Sequence, residues 1–150
     1  MIHGSGVVRA GQWARRLIIN EDLDKGTMLP YIKHIQSKDW GVVVMNTNHN
    51  KDDEGQSIPG SESPEKHAVT VWNEVVAEAS ATEIVVIAHS YGGVVTMALA
   101  RNKDVRKDFE KRVVGVFLTD SVHYGLTGKK DLDKKLRKVG KNYVTSTEVW

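Results

Sequence analysis

One short stretch in the middle of the chain decides the fold. It reads Ile84-Val85-Val86-Ile87-Ala88-His89-Ser90-Tyr91-Gly92-Gly93. Residues 84–88 are apolar and rich in β-branched side chains, which is typical of a strand buried on both faces of a parallel sheet. The segment that follows, residues 92–101, has the pattern of a helix. The sequence therefore predicts a strand, a sharp turn at Ser90 and a helix in direct succession.

This succession matches the nucleophile elbow, whose pattern is Gly-x-Ser-x-Gly between a strand and a helix. Ser90 is the candidate nucleophile, and the backbone N–H of Tyr91 is a candidate oxyanion donor. Ala88 and Gly92 stand two residues before and after the serine, where the strained turn accepts only small side chains. The elbow residues are accordingly Ala88, His89, Gly92 and Gly93. An ordinary tight turn that carries a chance serine is the alternative.

The segments around the elbow predict an α/β architecture. Two further apolar runs, residues 41–45 and 113–118, predict buried strands. Helices are predicted over 29–37 and 65–79, the second capped by Ser63 with Pro64 at its first position. Its apolar side is formed by Val69, Trp72, Val75, Val76 and Ala79. Strands that alternate with helices predict an α/β-hydrolase-like parallel sheet with helices on both faces.

Two other motifs lie where such a fold places its chemistry. The loop His3-Gly4-Ser5-Gly6 is the candidate second oxyanion donor, through a backbone N–H near Gly4 or Ser5. Asp120 and His123 follow the 113–118 strand, so the chain order Ser90, Asp120, His123 matches nucleophile, acid and base. However, an acid and a histidine three residues apart in one loop seldom adopt the required hydrogen bond. Asp120 as a loop acceptor and His123 as a surface group are equally compatible with the pattern.

Composition excludes several classes of protein. Hydrophobic residues make up 40% of the chain and no cysteine is present, which excludes disulfides, cysteine-ligated zinc and a thiol nucleophile. No histidine pair has metal-ligand spacing, so no metal and no cofactor is predicted. No apolar run approaches the roughly 20 residues of a membrane span, and the start of the chain lacks a secretory pattern. A net charge of +2 does not favour direct nucleic-acid binding.

The remaining segments are interpreted from their composition and periodicity. Residues 47–63 are polar and predict an exposed loop, and the basic tail 129–141 predicts a helix with Leu132, Leu136 and Val139 on one side. Its charges favour a solvated face over a nuclear-import or nucleic-acid patch. These charges are Lys129, Lys130, Lys134, Lys135, Arg137, Lys138 and Lys141. Of the four tryptophans, Trp13, Trp40 and Trp72 are predicted to lie in the core, and Trp150 is left open.

Three stretches of the sequence resemble a known family. They are His3 to Leu23, Ala88-His89-Ser90-Tyr91-Gly92-Gly93 and Leu118-Thr119-Asp120-Ser121-Val122-His123. Together they resemble the Arb-two (Argonaute-binding protein) domain, and in particular the animal cotranscriptional regulators, also called family with sequence similarity 172. The resemblance covers nearly the whole chain. It implies an α/β-hydrolase-like fold and work with Argonaute, chromatin or spliceosome proteins in gene silencing or alternative splicing, in the nucleus and the cytoplasm.

The sequence departs from the pattern of this family at three places. The family domain begins with a strand before His3 and continues beyond Trp150 to a further Asp and His that suit a triad better. A charged insertion of the animal branch is shortened to residues 51–62. Residues 1–150 are therefore interpreted as a single, partial domain that is truncated at both ends. A partial sheet with unpaired edges leaves open that the chain does not fold alone.

Two functions remain in competition at this point. The first, implied by the resemblance, is a binding role with Argonaute or with chromatin and splicing factors. The second, indicated by the elbow, is a serine hydrolase with Ser90 as nucleophile, His123 as base and Asp120 as acid. A serine without a well-placed base is a poor nucleophile, so the sequence leaves the catalytic competence of this chain undecided.

Overall fold

Three parallel strands form the sheet in the computed structural model, which describes residues 1–146. They are β1 (Ile84–His89), β2 (Val113–Thr119) and β3 (Gly140–Tyr143), and they lie in the order β1-β2-β3. Val86 pairs with Val116 and Ala88 with Leu118, so the two apolar runs stand side by side in register. The α/β class, the parallel sheet and the strands predicted over 84–88 and 113–118 are confirmed.

The third predicted strand, residues 41–45, does not form. The segment instead runs beside the start of the chain: the amino group of Met1 donates to the Val43 carbonyl at 2.7 Å, and Met45 N–H donates to the Met1 carbonyl at 3.1 Å. Ile2 in turn forms an isolated parallel bridge with Ala88 of β1. Regular strand pairing needs a run of consecutive partners, and here only Met1 is paired with this segment. The prediction of a buried strand over 41–45 was therefore wrong, and of its five residues Met45 alone is buried.

Seven α-helices and one π-helical turn occur within residues 1–146. They are α1 (Arg15–Asn20), α2 (Leu23–Gly26), α3 (Leu29–Gln36), α4 (Pro64–Val71) with the π-helical turn Trp72–Val76, α5 (Gly92–Arg101), α6 (Arg106–Arg112) and α7 (Lys130–Val139). The helices predicted over 29–37, 92–101 and the basic tail are confirmed. No helix in this part of the chain is both long and apolar enough to cross a bilayer.

Helix α4 begins as its local sequence predicts, but the π-helical turn after it changes which side chains are buried. Ser63 Oγ accepts from the Lys66 N–H at 3.1 Å, which is the predicted N-cap. The helix then widens, and Ala77 N–H donates to the Trp72 carbonyl at 2.7 Å in a π-helical turn. The extra residue in this turn changes which side chains face inward. Trp72 and Val76 are buried as predicted, but Val75 is 50% exposed and was wrongly assigned to the core.

One hydrophobic core joins the sheet to the helices. Alternate residues of β1 and β2 point into it, together with side chains of α4 to α7; its main members are Trp72, Val86, Ala88, Val95, Met97, Leu99, Phe109, Val116, Leu118, Leu132 and Leu136. The intervening strand residues Val85 and Phe117 stay 44% and 38% exposed. The prediction that these strands are buried on both faces was therefore wrong at Val85 and Phe117. Helices cover the sheet face that carries them only incompletely.

The sequence also wrongly predicted one tryptophan to be a core residue. Trp72 is buried and its ring lies 5.4 Å from that of Phe109, as expected for a core residue. Trp40 is 63% exposed, and its prediction as a core residue was wrong. It follows the end of α3, a helix that buries none of its side chains fully, so no apolar surface encloses it. Trp13 is half-buried against Tyr31, and Trp150 lies outside the described residues.

Candidate functional site

The turn between β1 and α5 has the strained geometry of an elbow. Ser90 adopts a φ of 51°, a left-handed value that few non-glycine residues reach without support from their surroundings. That support comes from backbone hydrogen bonds: Ser90 N–H donates to the Thr119 carbonyl at 2.9 Å, and Gly93 N–H donates to the Ser90 carbonyl at 3.1 Å. These bonds hold the backbone of the turn on both sides of Ser90.

Small residues are required around this turn for identifiable reasons. A Cβ atom on Gly92 would lie 2.6 Å from the Ile2 carbonyl oxygen and 2.9 Å from that of His3. A Cβ atom on Gly93 would lie 1.8 Å from Ser121 Oγ. Ala88 is fully buried at the end of β1. A side chain at 92 would thus overlap the backbone of Ile2 and His3, and one at 93 would require the Ser121 side chain to move.

The His3-Gly4-Ser5-Gly6 loop lies beside Ser90. A Cβ atom on Gly4 would stand 3.2 Å from Ser90 Cβ and 3.6 Å from Ser90 Oγ, and Gly4 itself is buried. Ser5 is exposed. The loop is thus held next to the candidate nucleophile as the order of motifs predicted. Oxyanion stabilisation by the backbone of Gly4, Ser5 and Tyr91 stays a prediction.

Tyr91 connects the elbow to helix α4. Its hydroxyl donates to Glu65 Oε1 at 2.6 Å. This hydrogen bond raises the pKa of the Tyr91 hydroxyl, because losing the proton would place two negative charges together. The Tyr91 side chain therefore has a structural partner, and only its backbone N–H belongs to the candidate oxyanion site.

Asp120 and His123 are not joined in the arrangement that a triad needs. Both carboxylate oxygens of Asp120 accept from Thr145, from its N–H at 2.6 Å and its Oγ1 at 2.7 Å, and these bonds lower the pKa of Asp120. His123 Nδ1 lies 2.6 Å from Ser121 Oγ. Asp120 has a φ of 46°, so the chain turns sharply between it and His123. Catalysis by Ser90, Asp120 and His123 stays a prediction, with Asp120 engaged as a loop acceptor within residues 1–146.

His89, the residue before the elbow serine, has a partner on the neighbouring strand. Its Nδ1 lies 3.0 Å from Thr119 Oγ1, and the side chain is half-buried. Among residues 1–146, no group of three His, Asp or Glu side chains is placed to hold a metal ion.

A buried histidine cluster next to Gly4 was missed at the level of sequence. His3 is 1% exposed, and its Nδ1 lies 2.8 Å from the Gly4 carbonyl, which only accepts, so Nδ1 carries the proton. Asn48 Nδ2 donates to the carbonyls of Gly4 and Val8, both at 3.0 Å. The polar run at 46–50 was the available signal, but its composition predicted solvent exposure.

The second member of this cluster is His67 of α4. Asn46 N–H donates to His67 Nε2 at 3.2 Å, so Nε2 is unprotonated and Nδ1 carries the proton toward Ser61 Oγ, 3.0 Å away. The Ser61 hydroxyl then donates to the His49 carbonyl at 2.6 Å. This chain of bonds draws the 47–63 loop inward. The loop has no helix or strand, yet Thr47 and Ser61 are buried, which differs from the predicted exposure at those two positions.

Acidification is expected to weaken this cluster and destabilise the fold. Burial lowers the pKa of His67 below its ordinary 6.5, with repulsion from His3 and His49 in addition, and burial also lowers the pKa of His3. Below pH 6.5 the unfolded chain then binds more protons than the folded one. The free energy of unfolding should be greatest above pH 6.5 and fall as the pH drops, which urea titrations at several pH values will measure.

A glutamine at position 67 provides the decisive comparison. In His67→Gln the side-chain oxygen can still accept from Asn46 N–H but does not titrate, so the loss of stability on acidification should be smaller. His34 is exposed on α3 and lies outside this cluster, so His34→Gln is the matched control. Identical profiles for the native chain and His67→Gln would rule out this role of His67.

Comparison with known proteins decides the family. A sequence profile described as the Arb2 domain matches residues 1–149. The chain belongs to the Arb2 domain family. It is 49% identical over 123 residues to a FAM172 family protein homolog of Caenorhabditis elegans, covering 81% of this chain and 37% of that protein. It is 34% identical to the cotranscriptional regulator ARB2A of Mus musculus and of Homo sapiens, covering 99% of this chain and 48% of each.

The relatives are longer than this chain. The chain spans less than half the length of the curated Arb2-family relatives named above. The match to the mouse protein extends over 202 residues although this chain has 150, so the relative carries additional residues inside the matched region. No solved structure matches the chain.

Proposed function

We propose that this chain is a binding module in nuclear gene regulation. The single observation that carries the proposal is family membership: the Arb2 profile spans residues 1–149, and the mouse and human relatives are named cotranscriptional regulators. Following the resemblance of the three sequence stretches to Argonaute-binding proteins, the proposed partners are Argonaute and chromatin or spliceosome proteins. The proposed setting is gene silencing or alternative splicing, in the nucleus with a cytoplasmic pool.

The geometry around Ser90 supports binding over catalysis. A serine hydroxyl becomes a nucleophile when a base takes its proton and a third group orients that base. Here each carboxylate oxygen of the candidate acid Asp120 accepts a hydrogen bond from Thr145, and His123 Nδ1 faces Ser121 Oγ. In the proposed binding role the elbow connects β1 to α5, with Gly4 packed beside Ser90.

A serine hydrolase is the second candidate, and the elbow favours it. The φ of 51° at Ser90 and the approach of Gly4 to its Oγ are features that a hydrolase would use. Loss of the base costs hydrolases about 10⁴- to 10⁶-fold in turnover. The binding module and the serine hydrolase thus differ sharply in the expected reactivity of the Ser90 hydroxyl.

Labelling with a fluorophosphonate probe separates the two candidates. The purified chain, shown by circular dichroism to be folded, is expected to remain unlabelled, because Asp120 is bonded to Thr145 and His123 Nδ1 faces Ser121 Oγ. Ser90→Ala and Ser121→Ala are the controls, the second because Ser121 Oγ contacts His123 Nδ1. Labelling that disappears only in Ser90→Ala would make the hydrolase the leading function.

Partner capture tests the binding role directly. The tagged chain and its Ser90→Ala variant are expected to recover the same Argonaute, chromatin or splicing proteins from nuclear extract, as measured by quantitative mass spectrometry. Arg112→Met, which is expected to destabilise the fold, should recover less of each of them. Absence of all three classes with folded native chain as bait would contradict the proposed function.

A further inference from the structure

We propose that a cleft between α5, β2, α7 and β3 binds a small amphiphile with an apolar body and a single carboxylate. The cleft has a volume of about 370 Å³. It lies on the helix-covered face of the sheet, beneath the loop that carries His123. The proposal is independent of the regulatory role proposed above and of any reaction at Ser90.

The inner wall of the cleft is apolar. Met97 of α5, Leu118 of β2 and Leu136 of α7 line it, and each of them is less than 5% exposed. A volume of this size falls at the lower end of the range of about 300–1,000 Å³ for small-molecule sites. At roughly 30 Å³ for each water-sized group, it accommodates about twelve non-hydrogen atoms. A medium-length alkyl chain with a compact head group fits this space, whereas a phospholipid does not.

The opening of the cleft is cationic. Arg137 near the end of α7 and Lys141 of β3 line it, and both side chains are exposed. Neither forms an ion pair with any residue between 1 and 146. His123 lines the same cleft, with Nδ1 held near Ser121 Oγ. Two cations beside an apolar wall complement a ligand whose apolar body ends in an anion.

Isothermal titration with decanoate tests this assignment, with decanol as the uncharged ligand of the same chain length. Decanoate is expected to bind saturably and decanol about tenfold more weakly or worse, because a charge-assisted hydrogen bond contributes about that factor. The methyl resonance of Met97 should shift during the decanoate titration, which places the ligand in the cleft. Decyl phosphate distinguishes a carboxylate from a phosphate head group.

Two double variants separate the cleft from general charge. Arg137→Gln with Lys141→Gln should weaken decanoate binding about tenfold. Lys134→Gln with Lys138→Gln removes the same charge from other exposed positions of α7 and should leave the affinity unchanged. All four side chains are exposed, so both variants are expected to fold.

Four results would overturn the proposal. They are non-saturable binding of decanoate, equal affinities for decanoate and decanol, equal effects of the two double variants, and a Met97 resonance that does not respond. Tight binding of decyl phosphate without binding of decanoate would also overturn it, since the head group would then be wrong.

Discussion

Arg112→Met is expected to lower the free energy of unfolding by about 3 kcal/mol, because it removes a buried guanidinium that pairs with the partly exposed Asp108 and bonds three carbonyl groups. Arg112 is 7% exposed. Its guanidinium donates to the carbonyls of Val76 at 2.8 Å, Ala79 at 3.1 Å and Ala81 at 3.0 Å. It also forms a bidentate pair with Asp108, at 2.8 and 2.5 Å. The Arg112 side chain thus donates hydrogen bonds to the backbone carbonyl groups at and after the end of the π-helical turn, in the segment that leads into β1.

The same network explains why methionine cannot substitute for this arginine. Trp72 Nε1 donates to Asp108 Oδ2 at 3.0 Å, so Asp108 links the core tryptophan to Arg112. The hydrogen bond from Arg112 lowers the pKa of Asp108, which keeps the carboxylate charged in the folded state. Without the guanidinium, Asp108 keeps only the hydrogen bond from Trp72, and three carbonyl groups lose the donor that Arg112 supplies.

Urea-induced unfolding measures this effect. Lys107→Met is the matched control, since Lys107 is an exposed cation on the same helix, and its stability should stay within about 0.5 kcal/mol of the native chain. A loss below about 1 kcal/mol in Arg112→Met would show that the network is dispensable.

Gly92→Ala is expected to destabilise the chain by about 1–3 kcal/mol, because the new methyl group overlaps backbone rather than a movable side chain. Its Cβ would stand 2.6 Å from the Ile2 carbonyl oxygen and 2.9 Å from that of His3. Relief requires the start of the chain to move away from β1. That movement would break the bonds Ile2 N–H to the Ile87 carbonyl (2.9 Å) and His89 N–H to the Ile2 carbonyl (3.0 Å).

Gly41→Ala is the control for this prediction. A Cβ atom on Gly41 meets nothing within 4 Å, so alanine should be neutral or stabilise by about 0.4–1 kcal/mol through the unfolded state. Urea unfolding of both variants gives the comparison. Equal stabilities for Gly92→Ala and Gly41→Ala would mean that the close approach of Ile2 does not constrain the elbow.

Segments whose structure depends on neighbouring residues in the chain could be predicted well. The β-branched run before Ser90 and the capped start at Ser63 encode their own backbone conformation, so β1 and the start of α4 appear where expected, whereas the helix predicted to Ala79 ends earlier. Predictions failed where burial depends on a distant surface. Trp40 found no partner surface, Val75 was turned outward by the π-helical turn, and residues 41–45 met only Met1.

In the candidate site, too, some features could be predicted from the sequence and others could not. The strained turn at Ser90 and the glycine at 92 follow from the sequence by itself, because a strand entering a helix so abruptly needs small residues at its flanks. Only the tertiary structure decided that Asp120 bonds Thr145, 25 residues away, and that His67 accepts from Asn46, 21 residues away. Such partners are chosen by the long-range packing of helices and loops around the sheet. Local pattern specifies the backbone of the elbow, whereas the side chains that surround it are selected by the completed fold.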